Sequence, residues 1–434
     1  MMEARNKKSV CMIVQHYYST DGRVRREAEA LVQNGFAVDI IALREPDREK
    51  RYVLNGVEVH QIDLKKRRGG VVRYVFEYAA YLVASFVRLT RLDWRKNYAV
   101  IQVHNMPNFL VFATALAKRR GAKIVLDVHD PFPELFITKL GARPGGWIYK
   151  LLKFEERCSA RFAHKVMATT VQSREALAEN GVASDNISVI MNLPDRAIFN
   201  RERCEAPAKK ADDPFVLLFH GTITARNGLG NVVRALPAIR KRVPNALFRV
   251  IGEGEFMDDL REFVDAQNLS ESVEIRDLVP ITQIPQEIVN ADTVIWLPER
   301  DDFIDLVMST KTIESLIMGT PVITTKTRCH AHYFDSGEIE FVEPTGFEQI
   351  AETVERLFEL REAQRIPPFK EEMTRRPATA QKVLQKFDWE KDKAAYCKLI
   401  STLATSAGAA STRLIRKTFS IKPITSQQLE TNSQ

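Results

Sequence analysis

The alternation of short apolar runs with amphipathic stretches, carried out twice along the chain, constrains this sequence more than any other feature. In the first half, "VCMIVQHY", "FAVDIIAL", "YAVIQVHN", "AKIVLDVHD", "HKVMATT" and "ISVIMNLPD" read as strands. Between the first two, "GRVRREAEALVQNG" sets Val24, Ala28, Leu31 and Val32 on one helical face and closes on Gly35. Residues 200–214, "NRERCEAPAKKADDP", are charged and poor in large apolar side chains, as a linker is. The pattern then restarts: "FVLLFHG", "LFRVIGEG", "VEIRDLV", "TVIWLP" and "VITT" are strand-like, with helix patterns between them. Strand, helix, strand with short connections specifies parallel sheets joined by right-handed crossovers. The expected fold class is α/β, with two doubly wound Rossmann-like domains facing across a cleft. The expected boundaries are an N-terminal domain over 1–199, a linker over 200–214 and a C-terminal domain over 215–385. A helix over 386–406 is expected to pack back on the N-terminal domain, and the small, polar, basic stretch 407–434 to be a disordered tail.

Length agrees with this division, since 434 residues exceed one ordinary core. The 63 basic and 56 acidic residues leave a net charge of +7, a tilt towards anionic company such as nucleotide phosphates or an acidic membrane surface. Nucleic acid is disfavoured, because aromatics are not interleaved with the basic runs and no reader motif is visible. The five cysteines are scattered with no CxxC, which argues for reduced thiols in a cytosolic setting and against a zinc site. The apolar run at the N-terminus is too short for a signal segment. The longest apolar stretch, residues 71–92, is interrupted by Arg73, Glu77 and Arg88 and does not read as a span. Preceded by "KKRRGG" at 65–70, it combines cations and large apolar residues. It reads equally as a surface-lying helix on an anionic membrane or as a helix covering the domain.

In open parallel sheets, ligands bind beyond the carboxyl ends of the strands. Polar residues gather there. After the first strand, Asp21 and Gly22 make a turn and Arg23, Arg25 and Arg26 crowd a helix start. Cations oppose the dipole at that end, so the cluster suits an anion; salt bridges to Glu27 and Glu29 on a solvated face are the equal alternative. His104 and Asn105 follow a later strand, and Asp127, His129, Asp130 and Glu134 the next. Adjacent residues of a strand end cannot both face one ion, so this edge reads as a polar active-site edge with no metal.

In the second half, His220 precedes the Gly221–Thr222 turn, and Arg226 lies two residues before Gly228. Glycine turns bring backbone amides to phosphates, and arginine supplies charge-assisted bonds. "IGEGEF" lacks the third glycine of a dinucleotide fingerprint and reads as a tight strand-to-helix turn. In "MSTKTIESLIMGTPVITT", Ser309 or Thr310 can cap a helix beginning near Lys311, Gly319 suits the left-handed terminus and Pro321 blocks continuation. Ile313, Leu316, Ile317 and Met318 form its buried side. Lys311 and Glu314 suit a diphosphate and a ribose diol, or form an exposed i,i+3 ion pair.

Taken in order, "DGRVRREAEALVQNGFAVDIIALR", "VHNMPNFLVFATALAKRRGAKIVLDVHDPFPELF", "FHGTITARNGLGNVVRAL", "NADTVIWLP" and "STKTIESLIMGTPVITT" resemble the retaining glycosyltransferases of family 4, with the GT-B fold. The likeness runs from about residue 9 to about residue 400 and is closest to the branch found in bacterial exopolysaccharide and lipid-linked glycan synthesis. It implies transfer of a sugar from a nucleotide diphosphate sugar to a glycan or polyprenyl-linked acceptor, with no cofactor and no metal, in the cytoplasm or on the inner face of the membrane. By the same resemblance, Glu314 matches the residue that binds the ribose, Arg226 the one that neutralises the leaving diphosphate, and Lys311 the motif lysine. His129 matches the histidine lining the sugar site, and Gly22 the loop that approaches the donor phosphates. His129, Arg226 and Lys311 are thus the expected catalytic residues. Gly22, Arg23, His104, Asn105, Asp130, Gly221, Thr222, Asp305, Thr310 and Glu314 are the expected substrate contacts. Two positions depart from the family pattern. Leu306 stands where many relatives carry a first glutamate, with Asp305 as the nearest substitute, and Asn227 stands where a lysine is usual. A nucleotide-sugar epimerase of the same fold and a non-catalytic nucleotide-sugar-binding scaffold are the competing readings.

Overall fold

The computed structural model describes residues 8–64, 71–140, 143, 145–205, 209–210, 212–363 and 375–418. Its strands are β1 Ser9–Ile13, β2 Ala37–Leu43, β3 Arg51–Leu54, β4 Val57–Ile62, β5 Val100–His104, β6 Lys123–Val128, β7 Lys165–Ala168 and β8 Ile187–Val189, then β9 Phe215–His220, β10 Ala246–Ile251, β11 Val273–Arg276, β12 Thr293–Trp296, β13 Val322–Thr325 and β14 Glu340–Val342. They form two sheets, one of eight strands in the order β3-β4-β2-β1-β5-β6-β7-β8 and one of six in the order β11-β10-β9-β12-β13-β14. Crossover helices leave both sheets largely parallel, as their near-continuous apolar strands require. The architecture is α/β, with two parallel-sheet domains.

The chain divides into two compact units, residues 1–128 with 158–166 and 393–434, and residues 129–157 with 167–392. In the first, Val10 to Ile13 of β1 are fully buried, and β2 pairs with it in register from Ser9↔Ala37 to Ile13↔Ile41. One antiparallel element is additional: β3 and β4 form a hairpin across Asn55–Gly56, both at positive φ (51° and 83°). Asn-Gly between alternating residues is a strong hairpin signal, present in "RYVLNGVEVHQI" and not used in the sequence reading. The Trp389–Thr418 helix enters this unit from Lys393 onward, where Tyr396 Oη donates to Gln102 Oε1 at 2.7 Å and Asn34 Nδ2 approaches Cys397 Sγ at 3.2 Å. That helix runs past residue 407, where the sequence reading begins a disordered tail; residues 419–434 lie outside the described residues, as does "KKRRGG" at 65–70.

In the second unit, the Thr310–Ile317 helix lays Ile313, Leu316 and Ile317 against Leu218 of β9, Val294 of β12 and Val322 of β13. Gly319 follows at φ 80° and its N–H reaches Leu316 O at 3.0 Å, so the helix stops where the glycine permits.

Candidate functional site

In the first unit, the expected anion cluster proves to be an internal one. Asp127, fully buried at the end of β6, receives Arg23 through Nη2 at 2.8 Å and Nε at 3.2 Å, and His104 Nδ1 lies 3.0 Å from the same carboxylate. Arg23 also pairs with Glu27 at 3.1 Å, and Glu27 accepts Gln102 Nε2 at 2.6 Å. Arg23 is 4% exposed and His104 not exposed at all, so both expected substrate contacts stand in a buried network about Asp127. The physical reason is burial: a guanidinium taken out of water must find carboxylates, and it does so within the fold. Arg25 pairs with Glu29 at 3.4 Å, as the salt-bridge alternative has it. Asn105 is buried too, its amide donating to Asn108 Oδ1 at 3.1 Å. Gly22 begins the Gly22–Gln33 helix, capped by Asp21, and a Cβ placed on it would meet nothing within 4 Å, so its backbone is open on that side.

In the second unit, His129 and Asp130 follow β6 and are half-buried; the His129 carbonyl accepts Thr169 Oγ1 at 3.1 Å. The remaining expected residues gather at the carboxyl ends of β9, β10, β12 and β13. The floor is built by glycine. A Cβ on Gly252 would lie 1.9 Å from Gly221 O, one on Gly254 2.0 Å from Ile223 O, and one on Gly228 1.8 Å from Leu297 O. Backbone therefore packs on backbone, fastened by Gly221 N to Ile251 O at 2.9 Å and Ile223 N to Glu253 O at 2.8 Å. The "IGEGEF" turn is needed for that contact.

Onto this floor Lys311 lays its side chain. Its Cε would be 3.0 Å from a Cβ at Gly221, and its Nζ stands 5.2 Å from the centre of the Phe219 ring. Burial pushes the ammonium pKa down, Glu314 pulls it up and Arg226 lowers it further, with a net lowering. Arg226 covers the face of Phe303 at 5.5 Å, just ahead of the Leu229–Arg242 helix. The exposed ion-pair alternative for Lys311 and Glu314 is set aside, because Lys311 is sheltered and Glu314 turns towards His220, Oε2 to Nδ1 at 3.8 Å. Burial and the Lys311 charge hold the His220 pKa down at about 3, so this ring is neutral.

Three buried polar atoms around this cluster have no hydrogen-bond partner among the described residues: His220 Nε2, Thr224 Oγ1 and Ser309 Oγ. Ser309 occupies the N-cap position of the Thr310–Ile317 helix, but contrary to the expected cap its hydroxyl satisfies no helix amide, and the first turn carries no acid. Thr310 opens that helix and Thr222 is exposed in the turn after Gly221. These three atoms, in the loops and helix start around a sheltered cation, are available to hydrogen-bond an anionic, hydroxyl-bearing ligand. Sequence reasoning noticed His220 without assigning it a role and missed Thr224. The rule that ligands sit beyond strand ends could have found both.

Three residues are accounted for structurally. Asn227 donates to Thr222 O at 2.7 Å and accepts Trp296 Nε1 at 3.2 Å, tying the loop to β12. Asp305 is held by Arg300 at 3.0 Å and accepts Arg328 N at 2.9 Å, so most of its capacity is spent within the fold. Leu306 buries its side chain, while its carbonyl accepts Thr170 Oγ1 at 2.6 Å and Ser173 Oγ at 3.0 Å.

Comparison with known proteins points one way. Residues 22–192 match the glycosyl transferase 4-like domain and residues 200–368 the glycosyl transferases group 1. WcaI of Escherichia coli K12, named for a glycosyl transferase role in colanic acid biosynthesis, is 27% identical over 151 residues, which is 32% of this chain and 36% of that protein. The match therefore spans about a third of that relative's length. Among solved structures, sucrose-phosphate synthase from Thermosynechococcus elongatus superposes with a TM-score of 0.67 at 16% identity, covering 95% of this chain and all of the other. A glycosyltransferase from Rickettsia africae gives 0.66 at 15% identity, over 92% of this chain and 99% of that one. HepE of Anabaena, solved with UDP and glucose, gives 0.63 at 14% identity, over 90% and 99%. At these identities the structural likeness carries the fold.

Proposed function

The chain belongs to the glycosyltransferases of family 4, with the GT-B fold, and from that premise we propose that it moves a sugar from a nucleotide diphosphate sugar to a glycan or polyprenyl-linked acceptor, with retention at the anomeric carbon. The observation that carries the donor reading is the cluster of unspent polar groups about Lys311: a sheltered ammonium, the Arg226 guanidinium, an uncapped helix start and three orphaned atoms. Breaking a glycosidic bond to a diphosphate develops negative charge on the leaving group. Cations and helix amides fixed in place beforehand stabilise that charge most in the transition state. Arg226 and Lys311 take this role, Glu314 accepts the ribose hydroxyls, and His129 faces the sugar. Binding of UDP by the Anabaena neighbour makes uridine nucleotides the first donors to screen.

Arg226→Ala and Lys311→Ala are expected to lower turnover by orders of magnitude with the fold intact, read by release of nucleoside diphosphate; near-normal transfer by both variants refutes the assignment. The leaving charge is met without a divalent ion, so transfer is expected to persist in excess chelator, and full loss restored by Mg²⁺ refutes that. Anomeric configuration of the product, read by NMR, tests retention.

No described helix is long and apolar enough to cross a membrane. Contact with an anionic membrane surface is the remaining part of the proposal, and the Val71–Lys96 helix supports it. Phe76 and Val83 are 73% and 62% exposed along a groove of about 670 Å³, with Arg88 and Arg91 in its lining. Flotation with anionic vesicles tests it.

A further inference from the structure

We propose that the Trp147–Phe162 helix is a second membrane anchor, lying in the surface of an anionic bilayer. The inference rests on the membrane reading above and adds a site that the sequence reading did not contain.

The helix is amphipathic in the wrong sense for water. At 100° per residue, Trp147, Leu151 and Phe154 fall within about 60° of one another, and they are 75%, 56% and 61% exposed. The opposite side carries Tyr149, Lys153 and Glu156, and it is this polar side that the fold buries. Lys153 Nζ meets Glu134 at 2.8 Å and Glu156 at 2.9 Å, Tyr149 Oη donates to Glu134 at 3.1 Å, and Asn180 Nδ2 donates to Glu156 at 2.8 Å. A helix that docks through apolar residues turns them inward. Here hydrogen bonds and ion pairs fasten the side from Tyr149 to Glu156, Ala160 and Phe162 turn inward at the end of the helix, and Trp147, Leu151 and Phe154 are left facing out.

Charge selects the occupant. Lys150 flanks the apolar stripe and is exposed, as is Arg143 just ahead of the helix, while Arg157 on the same side donates to Asn180 Oδ1 at 3.2 Å. Glu156 faces the other way and is buried, while Glu155 stands on the far shoulder, half-buried. The stripe from Trp147 to Phe154 is about 10 Å long, too little for the roughly 800 Å² per partner of a stable protein interface. It is the size of a shallow insertion, in which a tryptophan and two apolar residues enter the headgroup boundary and neighbouring cations meet anionic lipid.

The test uses the full chain with vesicles of phosphatidylcholine, with and without phosphatidylglycerol. The triple variant Trp147→Ser, Leu151→Ser, Phe154→Ser and the double variant Arg143→Gln, Lys150→Gln are each expected to weaken partition onto the anionic vesicles about tenfold or more. Melting temperature and transfer to a soluble acceptor are expected to stay unchanged, since all five side chains are surface groups. In a Trp94→Phe, Trp296→Phe, Trp389→Phe background, which keeps Trp147 of the four tryptophans, its emission is expected to shift to the blue on anionic vesicles and to be quenched by brominated acyl chains. Partition of the triple variant equal to that of the parent overturns the proposal, as does Trp147 emission that vesicles leave unmoved. A parent dimer that the triple variant converts to monomer, with vesicle binding retained, assigns the face to a second copy and also overturns it. If the parent itself fails to float, the broader membrane reading falls with it, so the two failures are told apart.

Discussion

Replacing Lys311 by methionine separates binding from stability, because of how the fold holds the ammonium. The group is sheltered over Phe219, with Glu314 stabilising its charge and Arg226 opposing it, and the balance lowers its pKa from the usual 10.5. A lysine whose folded pKa is depressed binds its proton less tightly in the native state than in the unfolded chain. Between the two pKa values the unfolded chain carries more protons, so stability rises with pH there, and below that window the cost of the charge is fully present. Methionine has nearly the same length and no charge, so Lys311→Met is expected to leave the melting temperature at neutral pH unchanged or raised. Binding behaves oppositely. A charge-assisted hydrogen bond to phosphate is worth about 1.5–3 kcal/mol, which at about 1.4 kcal/mol per decade is about a 10- to 150-fold loss of affinity. Isothermal calorimetry with UDP, beside thermal unfolding without ligand, measures both. Parent affinity is further expected to fall as the pH rises through the lowered pKa, while the variant shows no such step. A variant that melts lower and binds UDP like the parent refutes the placement of Lys311 in the donor site.

Asp127→Asn removes the shared acceptor of Arg23 and His104, both buried, and is expected to cost about 3–5 kcal/mol in urea unfolding; a loss below about 1 kcal/mol contradicts the ion-pair network. Gly254→Ala drives a Cβ to 2.0 Å from Ile223 O and must shift the loop, with about 1–3 kcal/mol of destabilisation and weaker nucleotide binding, read by calorimetry. Burial holds His330 at about 3, and burial with Lys123 and Lys118 holds His164 at about 4, so both stay neutral while the unfolded chain protonates near 6.5. Stability is therefore expected to fall as pH drops below about 6.5. His330→Gln is expected to flatten that acid slope by up to about 1.4 kcal/mol per pH unit, read by denaturant midpoints across pH.

Much of the fold was legible because its determinants are local. Apolar runs of strand length and the 3.6-residue spacing of Val24, Ala28 and Leu31 declare themselves within a dozen residues, and so does the stop at Gly319. Even the overlooked β3–β4 hairpin was written locally, in Asn55–Gly56. The candidate site was half legible. Lys311, Glu314, Arg226 and Gly221 could be named because strand ends and helix starts mark where ligands go in parallel sheets.

Charge partnership was not legible. Arg23 at a helix start looks like a phosphate ligand until Asp127, 104 residues away, proves to be its acceptor. The Trp147–Phe162 helix has an ordinary amphipathic pattern, and only its polar docking contacts with Glu134 and Asn180 show which face is left outside. Periodicity alone determined the elements and their order, because it depends on neighbours in sequence. Which buried charges are satisfied, which are left for a ligand and which apolar face stays bare depends on partners brought together by packing, and that only the tertiary structure decided.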